Sequence, residues 1–163
     1  FTVTNTVTVG INPFVVANYD DRYVILVSRG DYINVPYKLL KIDVADLSVT
    51  DFGIAALNFA ISGDYAYVYS YDFSSSNSCI KVLDLRTGDI VKENFITDGT
   101  VIETPYSITV NPLNGDVYIT DAHNFTVTGD VYCFDQDGRK KFTFEVGINP
   151  SKIVFNNTPH LNS

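Results

Sequence analysis

Tryptophan and methionine are missing from this 163-residue chain, and cysteine occurs only twice. Lys and Arg together number 11 against 19 Asp and Glu, a formal charge of −8. A nucleic-acid surface needs clustered cations to displace counterions, so that balance excludes one. No apolar run approaches the roughly 20 residues of a membrane-spanning helix. Cys79 and Cys133 have neither CxxC spacing nor a nearby His, which excludes a zinc site and favours two small buried thiols over a disulfide. The Gly-x-Ser-x-Gly elbow is absent, as are a phosphate-binding Gly-rich loop and calcium-loop spacing around Asp20-Asp21. His123 and His160 are the only histidines, and no Ser or Cys nucleophile pairs with a base. No catalytic residue, metal or cofactor is therefore assigned. The opening Phe1-Thr2-Val3 is neither an initiator Met nor a secretory signal, and reads as a processed or truncated start.

What is present repeats. Ile42-Asp43, Leu83-Asp84 and Phe134-Asp135 each close an apolar run with Asp, at intervals of 41 and 51 residues. Upstream lie the β-rich runs 23–28, 65–70 and 117–121, and before those the entries Asn12-Pro13-Phe14, Leu57-Asn58-Phe59 and Thr104-Pro105-Tyr106. A last strand ends near Phe52, Phe95 and Phe144. Alternation such as Tyr65-Ala66-Tyr67-Val68-Tyr69 has the two-residue period of a strand, and no segment has a helical period. Four short strands per repeat of roughly 40 to 50 residues is the pattern of a β-propeller blade. The fold expected is all-β, a partial propeller with blades at about 10–53, 54–99 and 100–147. Residues 1–9 and 148–156 are expected as single strands of two further blades, and 157–163 as a polar tail. The Asp after each third strand reads as a turn residue that accepts the backbone N–H two residues on, with Gly88 and Gly138 supplying φ > 0.

The run from Ile108 to Ala122, Ile-Thr-Val-Asn-Pro-Leu-Asn-Gly-Asp-Val-Tyr-Ile-Thr-Asp-Ala, resembles the blade signature of YVTN/YncE-like propellers. Val146-Gly147-Ile148-Asn149-Pro150 also resembles it, and matches Val9-Gly10-Ile11-Asn12-Pro13. The resemblance is strongest to surface-layer-like propeller lipoproteins of Bacteroides-type bacteria. It implies a seven-bladed ring of which this chain is similar to the C-terminal half, the other blades coming from missing chain or another copy. It also implies export to the outer-membrane surface or periplasm, and a transporter there as a partner. Some relatives capture cobalamin, so a corrinoid is the sharpest expectation for a small-molecule ligand.

In such a fold, binding residues gather on loops at one end of the blades. Entry loops offer Phe14, Phe59 and Tyr106, and the loops after the second strands span 29–37, 71–77 and 122–129. The candidate ligand-binding residues are Phe14, Arg29, Tyr32, Phe59, Tyr71, Asp72, Phe73, Tyr106, Asp121, His123, Asn124 and Phe125. Phe14, Phe59 and Tyr106 are equally suited to packing between blades, and Arg29 to a surface ion pair. A protein-interaction or surface-layer scaffold is the first alternative. A lactonase- or quinoprotein-like enzyme built on His123, Asp121 and Asp72 is the second.

Overall fold

Strand alternation organises the chain into twelve strands, with no helix among the described residues. The computed structural model describes residues 2–3, 5–72 and 77–156, with backbone alone at Tyr71, Asp72 and Asn77. The strands are β1 (Pro13–Asn18), β2 (Tyr23–Ser28), β3 (Lys38–Asp43), β4 (Val49–Asp51), β5 (Ala56–Ser62), β6 (Tyr65–Asp72), β7 (Asn77–Asp84), β8 (Ile90–Lys92), β9 (Pro105–Val110), β10 (Val117–Asp121), β11 (Gly129–Phe134) and β12 (Lys140–Val146). They form three antiparallel four-stranded meanders, β1 to β4, β5 to β8 and β9 to β12. The chain divides into two compact units, Phe1–Thr97 and Asp98–Ser163.

In the first unit, two sheets bury one core. Ile25 and Val27 of β2 and Leu39 of β3 meet Ala56, Phe59, Ala66, Val68 and Leu83 of the second sheet. Ile25 and Val27 are the third and fifth residues of β2, whereas Ala66 and Val68 are the second and fourth of β6. Successive side chains point to opposite faces of a sheet. The two meanders therefore meet through unlike faces, head to tail rather than mirror-wise. The remaining face of the first sheet, with Leu26, Leu40 and Ile42, is covered by Val7 and Val9.

In the second unit, Val117, Ile119, Val131, Cys133 and Phe134 are buried. Tyr118 stands edge-on to Phe142 and Phe155 at 6.1 and 5.1 Å. Thr120 Oγ1 donates to the Pro150 carbonyl at 2.7 Å, so the segment after β12 lies along the sheet. Residues 5–9 and 151–156, within the segments expected as flanking strands, carry no strand pairing among the described residues. A strand is defined by its ladder, and these segments contribute side chains without pairing along one.

The closing aspartates work as turn residues. Asp43, Asp84 and Asp135 accept the N–H of Ala45, Arg86 and Asp137 at 2.9, 2.9 and 3.0 Å. Gly88 and Gly138 take φ of 83° and 84°, and in the first repeat Leu47 takes 65°. Both cysteines are free thiols; Cys133 is buried, but Cys79 is only partly so.

Each first strand carries one bulge. Pro13 faces Ser28 and Val15 faces Val27, leaving Phe14 extra; Ala56 faces Ser70 and Asn58 faces Tyr69, leaving Leu57 extra. In β9 the shift falls between Pro105, which faces Asp121, and Ile108, which faces Ile119. Phe14 is thus equivalent to Leu57 and Tyr106. Phe59, facing Val68, is equivalent to Val16 and Ile108, which face Leu26 and Ile119. The expected alignment of Phe59 with Phe14 is two residues out of register. Phe59 is 4% exposed and belongs to the core, so it presents nothing to a ligand.

Candidate functional site

The loops that follow β2 and β10 share a backbone design. Gly30 and His123, each the second residue after its strand, have φ of 61° and 45°; Tyr32 and Phe125, two residues later, have 63° and 67°. Between them stands an Asx residue that accepts the N–H two positions on: Asp31 from Ile33 and Asn124 from Thr126, both at 3.0 Å. A bulky residue at positive φ is strained, and such strain survives only where the surroundings over-determine it. The result is one exposed aromatic held out from each loop, Tyr32 at 62% and Phe125 at 50% exposure.

In the first unit, Gly30 is required by close approach as well as by φ, since a Cβ there would lie 1.9 Å from the Val35 carbonyl oxygen. Asp31 Oδ1 also accepts from Asn34 and Val35, each at 2.7 Å. Those N–H groups, Val35 foremost, hold its carboxyl below the usual carboxylate range. Tyr32 Oη accepts the Asn12 amide at 2.9 Å, and the Tyr32 ring stands edge-on to Tyr37 at 5.8 Å. Residues 32–37 line an open cavity of about 290 Å³. Arg29 lays its guanidinium 3.4 Å from the centre of the Phe14 ring, and its Nη2 donates to the Leu57 carbonyl at 3.3 Å. Its Nε is buried with no acceptor.

In the second unit, Asp121 is 1% exposed and accepts the N–H groups of Glu103, Thr104 and His123 at 2.8, 2.9 and 2.9 Å. It ties the β9 entry to the loop after β10, and its oxygens are committed to backbone. Asp121, expected as a ligand contact, serves here as a buried acceptor for backbone N–H groups. His123 Nε2 lies 3.0 Å from Asp130, and Nδ1 lies 3.3 Å from Glu103 and 3.7 Å from Asp121. The Asp130 contact foremost, then Glu103, raises the imidazole above its ordinary 6.5 against the opposing effect of burial. Thr104 Oγ1 donates to the His123 carbonyl at 2.6 Å. Phe125 stands edge-on to Tyr106 at 5.9 Å. Asn124 Oδ1 also accepts the Thr126 hydroxyl at 2.8 Å, so its oxygen is occupied within the loop.

The expected sites thus fall into two groups: Phe14, Arg29 and Tyr32 in the first unit, and Tyr106, His123, Asn124 and Phe125 in the second. The expected loop 71–77 is shorter, because β6 continues through Tyr71 and Asp72, which pair with Ser78 and Asn77. Phe73 lies outside the described residues. Asn12, Tyr37, Glu103 and Asp130 join the candidate groups from the structure. Asp130 had a readable signal: strand register sets it opposite Asp121, and two facing carboxylates call for a cation between them. Among the described residues, no group of three or more His, Cys, Asp and Glu is arranged to hold a metal ion. No protein-family model matches the chain, and no curated protein matches it.

Proposed function

We propose that the chain is a non-enzymatic binding module of a β-propeller, each unit taken by itself offering ligand contacts at its loop end, Phe14, Arg29 and Tyr32 in the first and Tyr106 and Phe125 in the second. One observation carries this reading: the loops after β2 and β10 repeat a strained design that holds one aromatic out to solvent in each, Tyr32 and Phe125. Structure that costs free energy and leaves apolar surface in water is expected at binding sites. The unlike-face stacking of the first two meanders supports the propeller, because a head-to-tail contact can be repeated from blade to blade. Further blades, from more chain or a second copy, complete the ring in this reading.

The ligand is a small molecule, and the resemblance to surface propellers makes a cobalamin-type corrinoid the first to test. The setting is the outer-membrane surface or periplasm, where captured ligand passes to a transporter. Titration calorimetry of the chain with cyanocobalamin tests it: saturable binding at micromolar ligand is expected, and no heat or spectral change removes the corrinoid. A scaffold reading rests on β12, where Phe142 and Phe144 are stacked 6.3 Å apart and both exposed. Recovery of a surface protein from outer-membrane extract, lost on Phe142→Ser with Phe144→Ser, favours that second reading.

A further inference from the structure

The chain has four arginines, and three of them reach carboxylates. Arg22 meets Asp43 at 2.6 Å, Arg86 meets Asp84 at 3.0 Å, and Arg139 meets Asp137 at 3.5 Å. Arg29 has no ion pair among the described residues. The nearest acid in sequence, Asp31, is turned into its own loop by three backbone N–H groups. Phe14 clamps one face of the guanidinium, which fixes its plane and leaves hydrogen bonding to its edge. One edge group, Nε–H, is buried without an acceptor, an arrangement that proteins ordinarily avoid.

The neighbours suit an anion. Asn12 touches both residues: its backbone carbonyl accepts the Arg29 backbone N–H at 3.0 Å, and its side-chain amide donates to Tyr32 Oη at 2.9 Å. Because Tyr32 Oη is the acceptor there, its own hydroxyl proton is left to donate outward. Tyr37 is close enough to feel the Arg29 charge, which opposes the upward push of burial on its phenol.

Resting on the loop-end reading above, we propose that the Arg29 guanidinium, held by Phe14 and the Leu57 carbonyl, and the Tyr32 hydroxyl, held by Asn12, bind the oxyanion of a small molecule whose organic body lies against Phe14 and Tyr37. The class is a carboxylate or a phosphate monoester. A planar guanidinium edge matches either group through paired N–H···O contacts. The bound acceptor meets Nη1, which has no hydrogen-bond partner among the described residues and, unlike Nε, is not buried.

The test uses the 163-residue chain labelled with ¹⁵N. Benzoate, phenyl phosphate and the neutral benzamide are titrated while the Arg29 Nε–H resonance is followed. At least one of the two anions is expected to shift that resonance to saturation, with benzamide about tenfold or more weaker. Which anion does so distinguishes carboxylate from phosphate. Arg29→Gln is expected to abolish the preference for anions, and Tyr32→Phe, at an exposed ring, to weaken anion binding about threefold or more. No shift with either anion up to about 10 mM, or equal affinity for benzamide, overturns the proposal. Corrinoid binding without anion binding overturns it while leaving the loop-end reading intact. Anion binding without corrinoid binding supports it and removes only the corrinoid.

Discussion

His123 is held by three carboxylates, and its protonation decides how firmly the loop after β10 is tied down. Its pKa in the folded protein lies above the 6.5 of an unfolded chain, chiefly through Asp130. The stabilisation is therefore complete below 6.5 and is lost as pH rises through the raised folded value. Thermal melts of the wild type and His123→Asn between about pH 5 and pH 9 check this. The wild type is expected to lead at the acid end and to lose its lead at the alkaline end; a pH-independent gap contradicts the assignment. Leu47 offers a second test. It sits at φ 65° where the other two repeats have glycine, and its N–H donates to the Asp43 carbonyl at 2.8 Å. A left-handed non-glycine residue costs about 1–2 kcal/mol, so Leu47→Gly is expected to raise urea stability by about 1 kcal/mol after its lost contacts are offset. A destabilised variant contradicts that. Gly88 and Gly138 advertise their conformation in the sequence. Leu47, Tyr32 and Phe125 do not, because their left-handed backbone is imposed by neighbouring hydrogen bonds rather than by their own preference.

Strands were the legible part of this chain. The runs 23–28, 65–70 and 117–121 lie within β2, β6 and β10, since alternation and β-branched or aromatic content mark a half-buried pleat directly. The closing aspartates were legible for a similar reason, as their turn chemistry is local. A bulge has no such mark. One extra residue in β1, β5 and β9 shifts the register and sends Phe59 inward while Phe14 stays 53% exposed. The pair gives a sharp contrast. Phe59→Ala is expected to cost about 3–5 kcal/mol in a denaturant melt, as a fully packed aromatic should. Phe14→Ala is expected to cost about 1 kcal/mol or less, the worth of its contact with Arg29. Equal costs contradict the register. The turn after β7 adds a third case. Asp84→Asn keeps the acceptor for the Arg86 N–H but weakens the pairing with the Arg86 guanidinium, whereas Asp84→Ala removes both. The melting temperature is expected to fall further for alanine than for asparagine; the reverse order contradicts the turn assignment.

At the scale of the molecule, the meanders place unlike residues at their two ends. One end of each sheet carries the closing aspartate turns, beginning at Asp43, Asp84 and Asp135. The other end carries the bulged entries and, after β2 and β10, the loops with Tyr32 and Phe125. That polarity was legible from the repeat alone, because an antiparallel meander alternates its turns between ends. Which loop residues stand free was not, because Asn124 and Asp121 read as ligand-facing polar groups until their hydrogen bonds to backbone are seen. The proposed ligand contacts lie at the loop ends of the meanders. Amide chemical-shift mapping during a cyanocobalamin titration tests that placement most directly. Perturbations are expected at the loop end of at least one unit, Phe14, Arg29 and Tyr32 in the first or Tyr106, His123 and Phe125 in the second, with the turns that start at Asp43, Asp84 and Asp135 unmoved. Saturable shifts confined to those turns contradict the placement.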